Sequence, residues 1–480
     1  MPTKMRVFVI SDLHIGGEFS DDPAQRGFRI MSRPERLAGF IEELADRAHE
    51  CPIELVINGD FIDFLAECHE GKQPWVPFVE DANEATATFR RVAYRDRDSA
   101  VFDALGNFLA KGHALVVLLG NHDVELALPG VRVAFEERLA QQTSSRIRFI
   151  YDGEAYRVGD ALIEHGNRYD PFNVVDHDRL RRLRSLQSRG QCSANSELQF
   201  VAPAGSRLVA KVINPIKSLY SFIDLLKPES EPLIALLLAL EPSTRLQIRE
   251  LFKILPSAFF HGQRVSGFPR RAGDIASIMT ADPVRRYADG RLDSEDLSLH
   301  EVMVRTVGHD AARELLDSGP RPGDIGSRSD AAFGLARLMV MDDRSSVEAR
   351  LRLVRKTLGV LDWRERFASG VEADRYTSAA RVLARNYRYV IFGHTHDAKR
   401  VSLGNGAEYL NSGTWSDKMY FPAELSSDHE EIALAALRYF LEDLRANRLQ
   451  SYIRFEPTYV RLDISDDDRV VRADVVKHEQ

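Results

Sequence analysis

Three short apolar runs in the first 120 residues each stop abruptly at polar residues able to bind a ligand. Arg6 to Ile10 gives way to Ser11-Asp12, Ile53 to Ile57 to Asn58-Gly59-Asp60, and Ala114 to Leu119 to Gly120-Asn121-His122-Asp123. Runs of this kind read as strands buried on both faces, the texture of α/β layers. Helical patterns around Arg36 to Ala48 and Asp98 to Lys111 lie between them. In open α/β sheets ligands bind just beyond the carboxyl ends of strands. The residues at the run ends are therefore the first candidates for a site.

After Arg146 the texture changes to alternation. Ile147 to Tyr151 and Ala155 to Glu164 suggest a hairpin-like pair. Strand signals return at Tyr389 to Phe392, Lys399 to Leu403, Glu408 to Leu410 and Tyr452 to Ile464. Helical patterns dominate the stretch between: Asp178 to Ser188, Pro215 to Leu226, Ser243 to Leu255, Ser298 to Leu316 and Ala331 to Leu358. This predicts a core in two parts, residues 1–170 and 386–480, separated by a mostly helical insertion over 171–385 that acts as a cap. Glu430 to Leu449 reads as one amphipathic helix against the final strands.

Composition narrows the function classes. The 480 residues are 44% hydrophobic and 28% charged, which excludes wholesale disorder. The longest apolar run, Leu233 to Leu240, is far short of the ~20 residues that cross a bilayer. Three cysteines give no disulfide framework. With no signal-peptide core at the start, a cytoplasmic location is expected. A net charge of −8 argues against a protein coating nucleic acid over its whole surface.

The run-end motifs gather an unusual set of donors. Asp12-Leu13-His14 puts a carboxylate and an imidazole two positions apart, and Gly393-His394-Thr395-His396 does the same with two imidazoles. Asp60, Asn121 and His165 complete the set. Each taken singly has a plain structural reading: Asp12 as a helix cap, Asn121 as a turn residue, His165 as a buried structural histidine. Together, two aspartates, an asparagine and four histidines are too many for one ion. They suit two ions sharing a bridging carboxylate, and mixed imidazole and carboxylate donors favour manganese, iron or zinc over calcium or magnesium.

Asp-x-His, Gly-Asp, Gly-Asn-His-Asp, a lone His and Gly-His-Thr-His, in this order and each after a strand, resemble the calcineurin-like metallophosphoesterase superfamily. The resemblance covers the first 170 residues and Tyr389 to Trp415. It implies a four-layer α/β sandwich, two mixed β-sheets flanked by helices, here with a large mostly helical insertion. It implies that Asp12, His14 and His396 hold one divalent cation, that Asn121, His165 and His394 hold the other, and that Asp60 bridges them. His122 would stabilise charge on the phosphate or protonate the leaving oxygen, with Asp123 as its orienting partner. The implied reaction is in-line attack of a metal-bound hydroxide on a phosphodiester or phosphomonoester.

Beyond the ligands, Arg168 is a candidate phosphate clamp, with Asn167 lining the pocket. Asn411 to Trp415 is expected to support the site, and His177 is the remaining histidine nearest it in sequence. The arginines 179, 181, 182, 184 and 189, beside apolar helices, raise the alternative of a peripheral contact with an anionic membrane or a lipid-like phosphate. With a helical lid between the same two motifs, the chain is distantly similar to the bacterial UDP-2,3-diacylglucosamine pyrophosphohydrolase branch, which carries arginine where this chain has His122. A metal-bound scaffold without turnover is a further alternative, set against a ligand set with no member missing.

Overall fold

The computed structural model describes residues 3–17, 28–47, 51–69, 74–139, 146–170, 173–191, 200–217, 220–225, 348, 351–355 and 374–479. Its strands are β1 (Thr3–Ile10), β2 (Ile53–Asn58), β3 (Ala114–Leu118), β4 (Ile147–Ile150), β5 (Tyr156–Val158), β6 (Ala161–Ile163), β7 (Tyr389–Phe392), β8 (Ala398–Gly404), β9 (Ala407–Ser412), β10 (Asp417–Met419), β11 (Ile453–Phe455), β12 (Thr458–Ser465) and β13 (Val470–Lys477). A six-stranded sheet has the order β13-β12-β1-β2-β3-β4 and a five-stranded sheet the order β5-β6-β7-β9-β8, while β10 and β11 form a small ribbon. In the first sheet β1 to β4 run parallel, and β12 and β13 extend the β1 edge antiparallel. The second sheet is also mixed: β6, β7 and β9 run parallel between antiparallel edges.

Alternate side chains of each strand feed different layers, as a period of two requires. Val7, Val9, Val56, Val116 and Leu118 meet Ile163, Ile391, Leu410 and Leu462 in the space between the sheets. Phe8, Ile10, Leu55, Ile57, Leu115 and Val117 face the other way, onto helices α1 (Pro34–Asp46), α2 (Ala82–Ala93), α3 (Asp96–Ala110) and α4 (Pro129–Leu139). Leu180 and Leu183 of α5 (His177–Gln187) join that layer. The short helices α6 (Ala204–Leu208) and α7 (Asn214–Lys217) follow. Tyr376, Ala379, Ala380 and Leu383 of α8 (Asp374–Leu383) cover Val390, Phe392 and Tyr409 on the outer face of the second sheet. A last helix, α9 (Glu430–Arg445), precedes β11. The result is the expected helix–sheet–sheet–helix sandwich. Among the described residues no helix is long and apolar enough to cross a membrane.

Several expectations change. Ile147 to Tyr151 does not form a hairpin with Ala155 to Glu164. β4 pairs parallel with β3, and the Asp152-Gly153 turn hands the chain to the second sheet, where β5 and β6 form the hairpin. Alternation alone cannot say which sheet a strand joins. β13 was absent from the pattern because its half-exposed edge interrupts the alternation. α2 was also unforeseen, although Asp81 caps it, accepting from Asn83 and Glu84 N–H at 2.9 Å.

Pro215 to Leu226 is not one helix. Val209–Ile213 is π-helical, α7 is a single turn, and the break coincides with tertiary ties: Asn214 donates to the Leu65 carbonyl and Lys217 to that of Phe28, both at 2.7 Å. Both α5 and α8 fall within the expected insertion yet pack into the core layers. Ser243 to Leu255 and Ser298 to Leu316 lie outside the described residues, as does most of Ala331 to Leu358, of which residues 351–355 are helical.

Candidate metal centre

Each strand end delivers its donor through a sharp turn. Asp12, His14, Asp60, His394 and His396 all have φ between 46° and 69°, a left-handed region that non-glycine residues rarely occupy. Five such residues at one place mark backbone strain held by the surrounding structure, a pattern that clusters at functional sites. Gly59 permits close approach of the second sheet: a Cβ there would stand 2.5 Å from the His165 ring.

Among the described residues, three sets have ligand atoms within 4.8 Å of one another: Asp12 with His14 and His396, His14 with Asp60 and His122, and Asp60 with His165 and His394. His14 Nε2 lies 3.2 Å from His396 Nε2 and 3.8 Å from Asp60 Oδ2. His396 Nε2 is 3.3 Å from Asp12 Oδ1, and His165 Nε2 is 3.3 Å from Asp60 Oδ2. Asp60 thus stands between the two imidazole groups. Asn121 donates through Nδ2 to Asn173 Oδ1 at 3.4 Å, leaving its own Oδ1 buried without a hydrogen-bond partner.

The ring nitrogens are oriented from behind. His165 Nδ1–H donates to the Asn58 carbonyl at 2.7 Å, which leaves Nε2, buried and with no hydrogen-bond partner, aimed at Asp60. His394 Nε2–H donates to Asp170 at 3.2 Å, so Nδ1 is left as its acceptor atom. Such anchoring of imidazoles by a carbonyl or carboxylate is what metal sites use to fix the tautomer. The Asp12 carboxylate accepts from Ser11 O–H at 2.5 Å and His394 N–H at 2.9 Å, while its Oδ1 has no hydrogen-bond donor.

Electrostatics agree with a cation-binding role. Burial alone would raise the Asp60 carboxyl, but His165, His122 and His14 outweigh it and hold Asp60 well below the usual carboxylate range. Burial likewise disfavours charge on His165, yet the Asp60 carboxylate pushes that imidazole up to about 9. A proton on His165 satisfies Asp60 as a divalent cation between them would. His14 is lowered, chiefly by burial and against the pull of Asp63, so its imidazole stays neutral as a ligand requires. The orphaned oxygens of Asp12 and Asn121, the bare His165 nitrogen and the mixed donors fit divalent cations.

His122 stands beside this group, its ring edge-on to His14 with centroids 4.7 Å apart. Its expected partner is not Asp123. The Asp123 carboxylate accepts from Phe61 N–H at 2.7 Å and Gly120 N–H at 2.6 Å, bracing the β2 and β3 turns. Burial and then the Asp60 charge push Asp123 up to about 7. His122 Nδ1 instead faces Asp63 at 3.1 Å, and Asp63 also lies 3.5 Å from His14 Nδ1. Adjacency in sequence favoured Asp123; the only signal for Asp63 was a second carboxylate three residues past Asp60.

Arg168 also differs from expectation. It donates to the Gly153 carbonyl and pairs with Glu164 at 3.5 Å, contacts that turn it to the rim near β4. Asn167 donates to the Asn173 carbonyl at 2.8 Å and so holds the loop that carries Asn173 to Asn121. The Asn411 to Trp415 strand does support the site: Thr414 O–H donates to the Asp12 carbonyl at 2.7 Å, and Asn411 Nδ2 to that of Gly393 at 2.8 Å. Two histidines away from the cluster are buried as well, His69 against Glu84 and His113 stacked on Phe108.

No curated protein matches the chain. Residues 5–204 match the family described as calcineurin-like phosphoesterase. That stretch contains Asp12, His14, Asp60, Asn121, His122 and His165, and the fold returns His394 and His396 to them from beyond its end. Over residues 5–204 the chain is similar to the calcineurin-like phosphoesterases, a family of metal-dependent hydrolases.

Proposed function

We propose that this protein hydrolyses a phosphodiester or phosphomonoester with two divalent cations, manganese first among them, in the cytoplasm. In this reading Asp12, His14 and His396 hold one cation, Asn121, His165 and His394 the other, and Asp60 both. The observation that carries it is the position of Asp60, 3.8 Å from His14 and 3.3 Å from His165. Two bound cations supply an activated water and neutralise charge developing on the phosphoryl oxygens.

The chain's own residues do the rest. Asp63 fixes the His122 ring through Nδ1, and in this reading that ring donates a proton to the leaving oxygen. Burial of Asp60 and His14 excludes bulk water from the ligand cluster. Within residues 171–385, the stretch between α5 and α8 is proposed as a cap that sets which ester is admitted, whether or not it also touches lipid.

The purified chain with Mn²⁺ should hydrolyse bis-p-nitrophenyl phosphate or p-nitrophenyl phosphate, lose that activity in EDTA and regain it with Mn²⁺. His122→Ala should cost roughly 10²–10⁴ in kcat while keeping its metal. Metal-loaded protein that turns over neither ester would refute the reading.

A further inference from the structure

A second polar group, unused by the metal centre, gathers at the carboxyl end of β4. Tyr151 follows that strand directly. The guanidinium of Arg132, from α4, lies 3.8 Å from its ring centroid, and that of Arg184, from α5, lies 4.4 Å away. Arg168 reaches the same turn through the Gly153 carbonyl. His177 packs so closely on that turn that a Cβ at Gly153 would stand 2.8 Å from its ring. Three guanidiniums and an imidazole thus surround one tyrosine and one turn.

Their partners do not balance. Arg168 has Glu164. Among the described residues neither Arg132 nor Arg184 has a carboxylate within 4 Å; Arg132 donates to the Ala127 carbonyl. The buried Nε of Arg184 and Nδ1 of His177 have no hydrogen-bond partner. Nearby acids are otherwise placed: Asp152 accepts from Glu154 N–H at 3.3 Å, Asp178 lies 3.9 Å from Arg181, and Glu136 acts on Arg132 only at longer range. Burial, then Arg168, lowers His177 to about 4, so its ring stays neutral. One guanidinium over a tyrosine is ordinary cation–π packing. Two on the same ring repel one another unless an anion joins them.

We infer that this rim is a binding site for a phosphate-like oxyanion, gripped by the planar forks of Arg132 and Arg184 with Arg168 and His177 at its edge. It lies at the end of the first sheet where β1, β2 and β3 present Asp12, Asp60 and Asn121. The anion is either a second phosphoryl group of the substrate or a free ion. Only the first of these rests on the proposed hydrolysis.

The test is calorimetric titration of the full chain with sulfate. Arg132→Gln and Arg184→Gln, on different helices and outside the metal centre, should each weaken binding at least tenfold, and Arg181→Gln, exposed on α5, should not. Thermal melts identify any variant that fails to fold, and the other then decides. Wild-type protein that binds no sulfate, or equal affinity in all four proteins, overturns the site. Kinetics separate the sources: a tenfold higher KM for a nucleoside 3′,5′-bisphosphate in Arg184→Gln, with bis-p-nitrophenyl phosphate constants unchanged, indicates the substrate's second phosphate. Unchanged KM for both, with sulfate binding lost, indicates a free ion. Absence of all turnover with sulfate binding intact would sink the hydrolase reading and leave this site standing.

Discussion

The two sheets bring unlike chemistry to one point. From the first come both carboxylates, the Asn121 amide and His14; from the second come His165, His394 and His396. Each sheet also holds a side chain of the other in place. The His394 N–H grips the Asp12 carboxylate, and the Asn58 carbonyl anchors the His165 ring. Carboxylates on one side and imidazoles on the other meet only when Val56 and Val116 pack against Ile163 and Ile391. The site is therefore a product of sheet-on-sheet packing, and strain at five of its positions is tolerated because that packing determines it.

The largest effect should come from breaking the comparison at its centre. Asp60→Asn keeps the shape but removes the charge that both imidazole groups address. It should lower kcat by roughly 10³ or more, on the scale of removing a catalytic electrostatic group, and reduce bound metal measured by atomic emission. Wild-type activity with full metal content would separate Asp60 from the site.

A smaller effect sharpens the first-sheet side. Asp63→Asn should reduce kcat about 10- to 100-fold, as loss of an orienting partner does, and change its pH profile with KM nearly constant. Asp123→Asn should instead show itself mainly as a lower urea midpoint, because Asp123 braces backbone N–H groups. Reversed outcomes would return the orienting role to Asp123.

The smallest effect lies just outside the site. Burial pushes Glu125 up to about 8 even though it accepts from Val79 N–H at 2.8 Å. The folded protein thus favours the neutral acid. That contribution is full below the unfolded value near 4.5 and is lost as pH rises through about 8. Between pH 6 and pH 9 wild-type stability should fall by roughly 2 kcal/mol from this group, whereas Glu125→Gln should lack that fall. Urea midpoints at the two pH values measure it, and identical pH dependence would contradict it.

The strand ends were legible because a buried parallel strand is a continuous apolar run, and its polar terminus is visible whatever the partner strand. The order of motifs then pointed to carboxylates and imidazoles that gather around Asp60. What the sequence could not convey was direction. Nothing local distinguishes Asp63 from Asp123 as the residue behind His122, since the answer depends on the left-handed turn at Asp60. Arg168 follows His165 closely, yet the turn at Gly166, with φ 99°, carries it to Gly153. The sheet that β4 joins, and the packing of α5 and α8 into the core, are set by contacts distant in sequence.

Crystals of the chain loaded with Mn²⁺ and measured at the manganese absorption edge test the central claim most directly. Two anomalous peaks about 3.5–4 Å apart, one on each side of the Asp60 carboxylate, are the predicted result. A single peak, or peaks that Asp60 does not touch, would contradict it.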